Sequence, residues 1–204
     1  VSALQRAFDA IVVRHEILRT RFGARDGEAV QVIDPPNTVH LVLEDISALA
    51  ITARLEQLRE RLQEDLQQPF DLVRQWPLRV SLVRLEERSH VLLLMLHHIA
   101  SDGWSLGVLM RELSALYLAY SENRTPTLPQ RSVQYADYAL WQRSWLRGEA
   151  FANQLDYWRE QLRGLEPLQL PRDRVRPPVA SFRGAALPLH LSAALSKKLV
   201  QLSL

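Results

Sequence analysis

Residues 91–96, VLLLML, are apolar at every position and run straight into the polar string HHIASDG, after which a helical pattern continues to Tyr120. The apolar run is too short to cross a membrane. An extended segment with no polar alternation has to be covered on both faces, which places it centrally in a sheet with helices above and below. The fold class expected is α/β, a sheet covered by helices. Downstream, Leu106, Leu109, Met110, Leu113, Leu116, Tyr117 and Tyr120 recur at helical spacing. Strand, turn and helix follow one another directly, so side chains in the turn are held by two rigid elements.

The rest of the chain supplies the covering elements. Leu4, Phe8, Ile11 and Val12 predict a helix over residues 2–15 with Ser2 as N-cap. Alternation over residues 17–22 predicts an extended segment with Arg19 and Arg21 on one face; ARDG then turns into AVQVI, and Pro35-Pro36 closes the hairpin. HLVLE near residues 39–44 is another short strand. Leu55, Leu58, Leu62 and Leu66 mark one face of a helix over residues 52–67, which Pro69 ends before the turn PFDL. LRVSLVRLE and VLLLMLHHI form a hairpin about Glu87, Arg88 and Ser89. Helices are predicted at residues 135–146 and 151–162, the second stopped by Gly164, with Tyr138, Trp141, Trp145 and Trp158 as core residues. Four prolines between residues 165 and 178 mark a connection rather than an element. Beyond it lie an apolar strand, AALPLHL, and a helix opening at Ser192.

Composition removes several function classes. The 25 basic and 23 acidic residues of the 204 leave a net charge of +2, and they alternate along the helices without a dense basic patch, which argues against nucleic acid. There is no cysteine, hence no disulfide, thiolate nucleophile or cysteine metal site, and a cytoplasmic protein is expected. No signal peptide or membrane-spanning run is present. The chain opens at Val1 inside a helical pattern, as a piece of a longer polypeptide would.

Within the turn, successive strand side chains point to opposite faces, so His97 and His98 cannot both enter one cavity. His98 lies nearer the strand mouth and is the exposed imidazole; His97 packs behind it. Asp102 can orient the loop by pairing with an arginine, and Gly103 permits a tight turn and close approach of a ligand. The N-terminus of the following helix offers free N–H groups to an oxyanion or polarised carbonyl. A purely structural histidine pair and a chemical site both remain open on this reading. Metal binding is disfavoured because the histidines diverge and no HExxH pattern is present; a Ser101 nucleophile lacks the G-x-S-x-G elbow.

The string HHIASDG resembles the HHxxxDG motif of the condensation domains of nonribosomal peptide synthetases, members of the chloramphenicol acetyltransferase-like superfamily. Other blocks match in order: RHEILRTRF at residues 14–22, PFDL at 69–72, YADYALWQRSWLRGE at 135–149, and LQLPRDRVRPPVASFRG at 168–184. MLHHIASDGWSLGVLMRELSALY is most similar to the subtype that joins an L-configured donor to an L-configured acceptor. The resemblance implies a chloramphenicol acetyltransferase-like lobe, a mixed sheet covered by helices, at residues 1–164, an inter-lobe linker at 165–181, and the start of a second lobe at 182–204. The opposite wall of the active site would belong to the missing C-terminal lobe, without which this piece is expected to be inactive.

For function, the resemblance implies acyl transfer. A donor aminoacyl or peptidyl thioester on one carrier's phosphopantetheine arm is attacked by the α-amine of an acceptor on a second carrier, giving a new amide. No cofactor is bound directly; the partners would be upstream and downstream peptidyl carrier domains and an adjacent adenylation domain. His98 is the catalytic residue, supported by His97, Asp102 and Gly103. Arg14 and Arg19 are the candidate partners of Asp102, with Arg19 favoured. Alternatives are an epimerisation domain of the same family, a non-catalytic fragment that docks carrier proteins, and a free small-molecule acyltransferase.

Overall fold

A computed structural model describes residues 1–175, 177–179 and 186–203. They fall into two units, Val1–Tyr157 and Trp158–Leu204. The first contains helix α1 (Ser2–Arg14), a 3-10 turn over Glu16–Arg19, strands β1 (Thr20–Arg25), β2 (Glu28–Ile33) and β3 (Leu41–Asp45), helix α2 (Ile51–Gln67), strands β4 (Leu78–Arg84) and β5 (His90–Leu96), and helices α3 (Gly103–Ser121) and α4 (Tyr135–Trp145). Helix α5 (Glu149–Gln161) contains the boundary, and α6 (Ala193–Ser203) lies in the second unit.

Strands β1 and β2 form an antiparallel hairpin in which Arg25 pairs with Glu28. Only Asp26 and Gly27 remain for the loop, both at positive φ (54° and 81°), the turn whose twist matches that of the strands it joins. The other sheet is mixed: β3 runs parallel to β4, and β4 antiparallel to β5, in the order β3-β4-β5. This corrects the position expected for residues 91–96. Both faces of β5 are covered, yet β4 is the central strand and the more deeply buried one. Pattern reports how many faces are covered, whereas strand order depends on pairing between distant segments.

The helices lie on opposite faces of this sheet. Ala7, Phe8, Ile11 and Val12 of α1 meet Leu109, Leu113 and Leu116 of α3 over Leu78 and Val80, with Leu92, Leu94 and Leu96 packed alongside. The alternate β5 residues Val91 and Leu93 face the other way, toward Ile46, Val83 and Leu58 of α2. Leu58 is the inward leucine of α2; Leu55 and Leu66 stay half-exposed or more, and Leu62 is exposed to a lesser degree.

Four further expectations change. Ser2 is the first residue of α1 rather than its N-cap, a position held by Val1 without a side-chain hydrogen bond. The segment over residues 17–22 is extended only from Thr20, because Glu16–Arg19 close a 3-10 turn. On α4, Tyr138 and Trp141 and Trp145 do not enter the core; they are 44%, 57% and 50% exposed, and Trp158 is 56% exposed. Tyr135, Tyr138, Trp141 and Trp145 instead pack in series along one helix face, with ring centroids 6.1, 5.6 and 6.0 Å apart. In the second unit residues 186–191 of AALPLHL form no strand, and Leu187 and Leu189 are exposed. The FRG block at 182–184 lies outside the described residues. Ser192 does open α6, its Oγ accepting from the Leu195 N–H at 3.3 Å.

Phe8 is wholly buried between α1, α3 and the sheet. Phe8→Ala should cost about 3–5 kcal/mol of unfolding free energy by denaturant titration, against less than about 0.5 kcal/mol for the exposed Leu66→Ala.

Candidate active site

At the mouth of β5 the chain leaves the sheet through a short turn. The His97 N–H still donates to Pro77 O at 3.0 Å, extending the pairing by one residue, and its Nδ1 accepts from the Ile99 N–H at 3.0 Å. The imidazole meets the Phe70 ring edge-on, with centroids 5.8 Å apart. PFDL therefore supplies the wall behind His97. His98, released from the ladder, is exposed and lines a cleft of about 380 Å³ together with His15, Asp102, Trp104, Arg131 and Tyr135. Among the described residues the His98 ring has no hydrogen-bond partner. The two histidines thus take the different environments expected from strand alternation.

Among the described residues Asp102 pairs with no arginine. It is the N-cap of α3: Oδ1 accepts from the Ser105 N–H at 2.8 Å and from Ser105 Oγ at 2.6 Å. The Ser105 hydroxyl and N–H together lower its pKa. The cap also takes one of the helix N–H groups expected to face an oxyanion. Gly103 begins α3 outside the positive-φ region, and a Cβ there would meet open space, so the backbone turn itself does not call for glycine.

Both candidate arginines are engaged elsewhere. Arg19 is buried; its guanidinium donates to Val12 O at 3.1 Å, to Asp34 O, and to Glu16 at 3.1 Å. It closes the end of α1 and fastens it to the end of β2. Arg21 makes the bidentate contact in this region, to Asp34 at 2.8 and 2.7 Å, where Trp76 Nε1 also donates.

Arg14 points to a carboxylate that the motif pattern does not single out. Glu112 of α3 accepts from Arg14 Nε at 3.0 Å, Arg131 Nη2 at 3.3 Å and His15 Nε2 at 2.6 Å. Gln134 completes the junction, donating to Arg14 O and accepting from the Glu16 N–H. Burial alone would raise the Glu112 pKa, but the hydrogen bonds from Arg14 and His15 outweigh it and hold the carboxyl down at about 2. Burial is also the largest influence on His15; with Arg131 and Arg14 nearby it outweighs the Glu112 contact and lowers the imidazole pKa. The sequence did carry a signal for Glu112: it is a lone carboxylate between Leu109 and Leu113 on the buried stripe of α3.

Asp102→Asn keeps an acceptor oxygen at the cap and should retain the melting temperature, whereas Asp102→Ala should lower it; equal losses would point to a charge pair instead. The Glu112 carboxyl falls from 4.5 to about 2 on folding, so its contribution is complete above pH 4.5 and lost as pH drops toward 2. His15, lowered from 6.5, adds loss in the same direction below pH 6.5. Glu112→Gln should therefore remove on the order of 2–3 kcal/mol at pH 7 and flatten the dependence below pH 4.5, measured by denaturant titration across pH.

Comparison with known proteins gives the family of the chain. The family model described as the condensation domain matches residues 1–203. A linear gramicidin synthase of Brevibacillus parabrevis is 46% identical over 204 residues, covering 100% of this chain and 4% of that protein. A chondramide synthase of Chondromyces crocatus is 43% identical over 201 residues, 98% of this chain and 5% of its own length. Among solved structures, the X-domain in its complex with OxyB from teicoplanin biosynthesis superposes with a TM-score of 0.78 at 36% identity, over 90% of this chain and 40% of that one. The chain thus spans a small part of the synthases and less than half of the solved domain. No helix among the described residues is long and apolar enough to cross a membrane.

Proposed function

The chain belongs to the condensation-domain family, and from that membership we propose that it carries the histidine-bearing half of a domain that forms amide bonds in nonribosomal peptide synthesis. The observation that carries this reading is His98, an exposed imidazole without a protein partner among the described residues, at the mouth of β5 in a cleft beside the start of α3. The substrates are a donor aminoacyl or peptidyl thioester and an aminoacyl acceptor, each on the phosphopantetheine arm of a peptidyl carrier domain, with an adenylation domain adjacent. The wording of residues 95–117 supports an L-configured donor and an L-configured acceptor. In the complete domain, residues 1–164 form the first lobe, 165–181 the linker and 182–204 the start of the second lobe, which supplies the facing wall.

The chemistry asks little base strength of the protein. The acceptor α-amine attacks the thioester carbonyl carbon, the carbonyl electrons move to oxygen, and collapse of the tetrahedral intermediate expels the donor thiolate, which takes up the proton lost from nitrogen. An α-amine has a pKa of about 7.7–8.0, so part of it is neutral near pH 7. General-base catalysis contributes about 10²–10⁴-fold, whereas holding two reactants in register supplies roughly 7–11 kcal/mol. His98 accordingly acts first by positioning the amine and hydrogen-bonding the intermediate, and second by accepting a proton. With the Ser105 N–H taken by Asp102, more of the oxyanion stabilisation falls to His98. Asp102 and His97 hold the turn from either side, and Gly103 leaves room for the reactants.

A docking module is the alternative with an observation behind it, since the X-domain is solved in complex with OxyB. One experiment separates the two. In the complete domain with loaded donor and acceptor carriers, His98→Ala should lower amide formation by about 10²-fold or more while carrier affinity and melting temperature hold. Near-normal amide formation by that variant would overturn the catalytic reading.

A further inference from the structure

His98 is not the only imidazole in the cleft. His15 follows α1 and lines the same cavity, drawn there by a short contact between its Nε2 and Oε2 of Glu112, 2.6 Å. Glu112 is itself held by Arg14 at the end of α1 and by Arg131 in the segment leading to α4. The charged groups around His15 are therefore Glu112 from α3, Arg14 from α1 and Arg131 from the loop. Two guanidinium ions against one carboxylate disfavour a third positive charge.

A neutral imidazole carries one N–H and one lone pair, and the carboxylate settles which is which. Nε2 has to be the donor, because its partner is an ionised carboxylate that can only accept. Nδ1 is then an acceptor, and among the described residues it receives no hydrogen bond. Glu112, which holds Nε2, is not among the residues lining the cavity, whereas His15 is; a ring locked in one tautomer in this way, with Nδ1 unused, is suited to accept from an N–H donor in that cavity. The net positive surroundings favour a neutral donor over a cationic one, and hence an amine over an ammonium.

We propose that His15 Nδ1 accepts a hydrogen bond from the neutral α-amine of the acceptor substrate, with Glu112 as the residue that positions it. This rests on the condensation reading above. His15 and His98, which line the same cleft, would then share the positioning of the amine, with His98 also hydrogen-bonding the intermediate. Any chain-linked primary amine of similar reach would be bound in the same way; a substrate whose amine is blocked would not.

The test uses the complete domain with its carrier partners. His15→Gln retains an amide N–H for Glu112 and removes the acceptor at the Nδ1 position. It should raise KM for the acceptor carrier by between about threefold and tenfold while the melting temperature and KM for the donor carrier stay unchanged. Should that variant fail to fold, the unmodified domain answers the question through ¹⁵N imidazole resonances. Nδ1 of His15 should shift on adding an aminoacyl pantetheine amide with a free amine and stay in place with its N-acetyl counterpart. An unchanged acceptor KM in folded His15→Gln, or the same response to both probes, overturns the proposal while leaving amide formation by the unmodified domain intact. Absence of amide formation by the unmodified domain would overturn both this proposal and the condensation reading.

Discussion

The cleft depends on one carboxylate. Glu112 sits on the buried stripe of α3, between Leu109 and Leu113, and gathers Arg14 and His15 from the end of α1 and Arg131 from the segment before α4. A carboxylate in that position is costly unless every oxygen is answered by a donor, and here the donors outnumber the oxygens. The apolar packing of α1 on α3 brings the helices together without fixing one register, since leucine and isoleucine contacts tolerate small slides. The directional bonds at Glu112 fix it. They set where α1 ends, where His15 stands, and how the segment before α4 closes one side of the cavity, with Gln134 binding the backbone on both sides of His15.

The sheet sets the opposite side of the cavity. β5 is held against β4 over its whole length, and the His97 N–H adds a bond to Pro77 before the chain departs. His97 is then fixed by the Ile99 N–H and the Phe70 ring, while Asp102 caps α3 through Ser105. Among the described residues, His98 is the member of this string whose side chain has no hydrogen-bond partner. Supporting groups bind the backbone around it, and its ring stays free for the role proposed above. That division suits a reaction in which positioning outweighs base strength.

Much of this was legible in the sequence because it is local. Hydrophobic period gave α1, α2 and α3, alternation and turn residues gave both hairpins, and strand geometry separated His97 from His98. What was not legible depends on distant partners. An apolar run announces two covered faces but not its place in the strand order, so β5 could not be told from β4. The aromatic spacing on α4 is equally consistent with packing on a core and with packing in series on itself. Asp102 has the sequence of an N-cap, S-D-G-W-S, and the cap outcompeted the arginine pairing because Ser105 is three residues away and already ordered. Arg19 serves main-chain carbonyls, which no side-chain pattern announces. Glu112 was readable in principle, as a lone charge on an otherwise apolar helix face.

The direct test is the structure of the complete domain with a bisubstrate mimic that joins the donor acyl carbon to the acceptor nitrogen. The tetrahedral oxygen or the nitrogen of the mimic should lie within about 3 Å of a ring nitrogen of His98, at the mouth of β5. A reacting carbon held elsewhere, with no polar atom of the mimic in hydrogen-bond reach of His98, would contradict the assignment of this cleft as half of the active site.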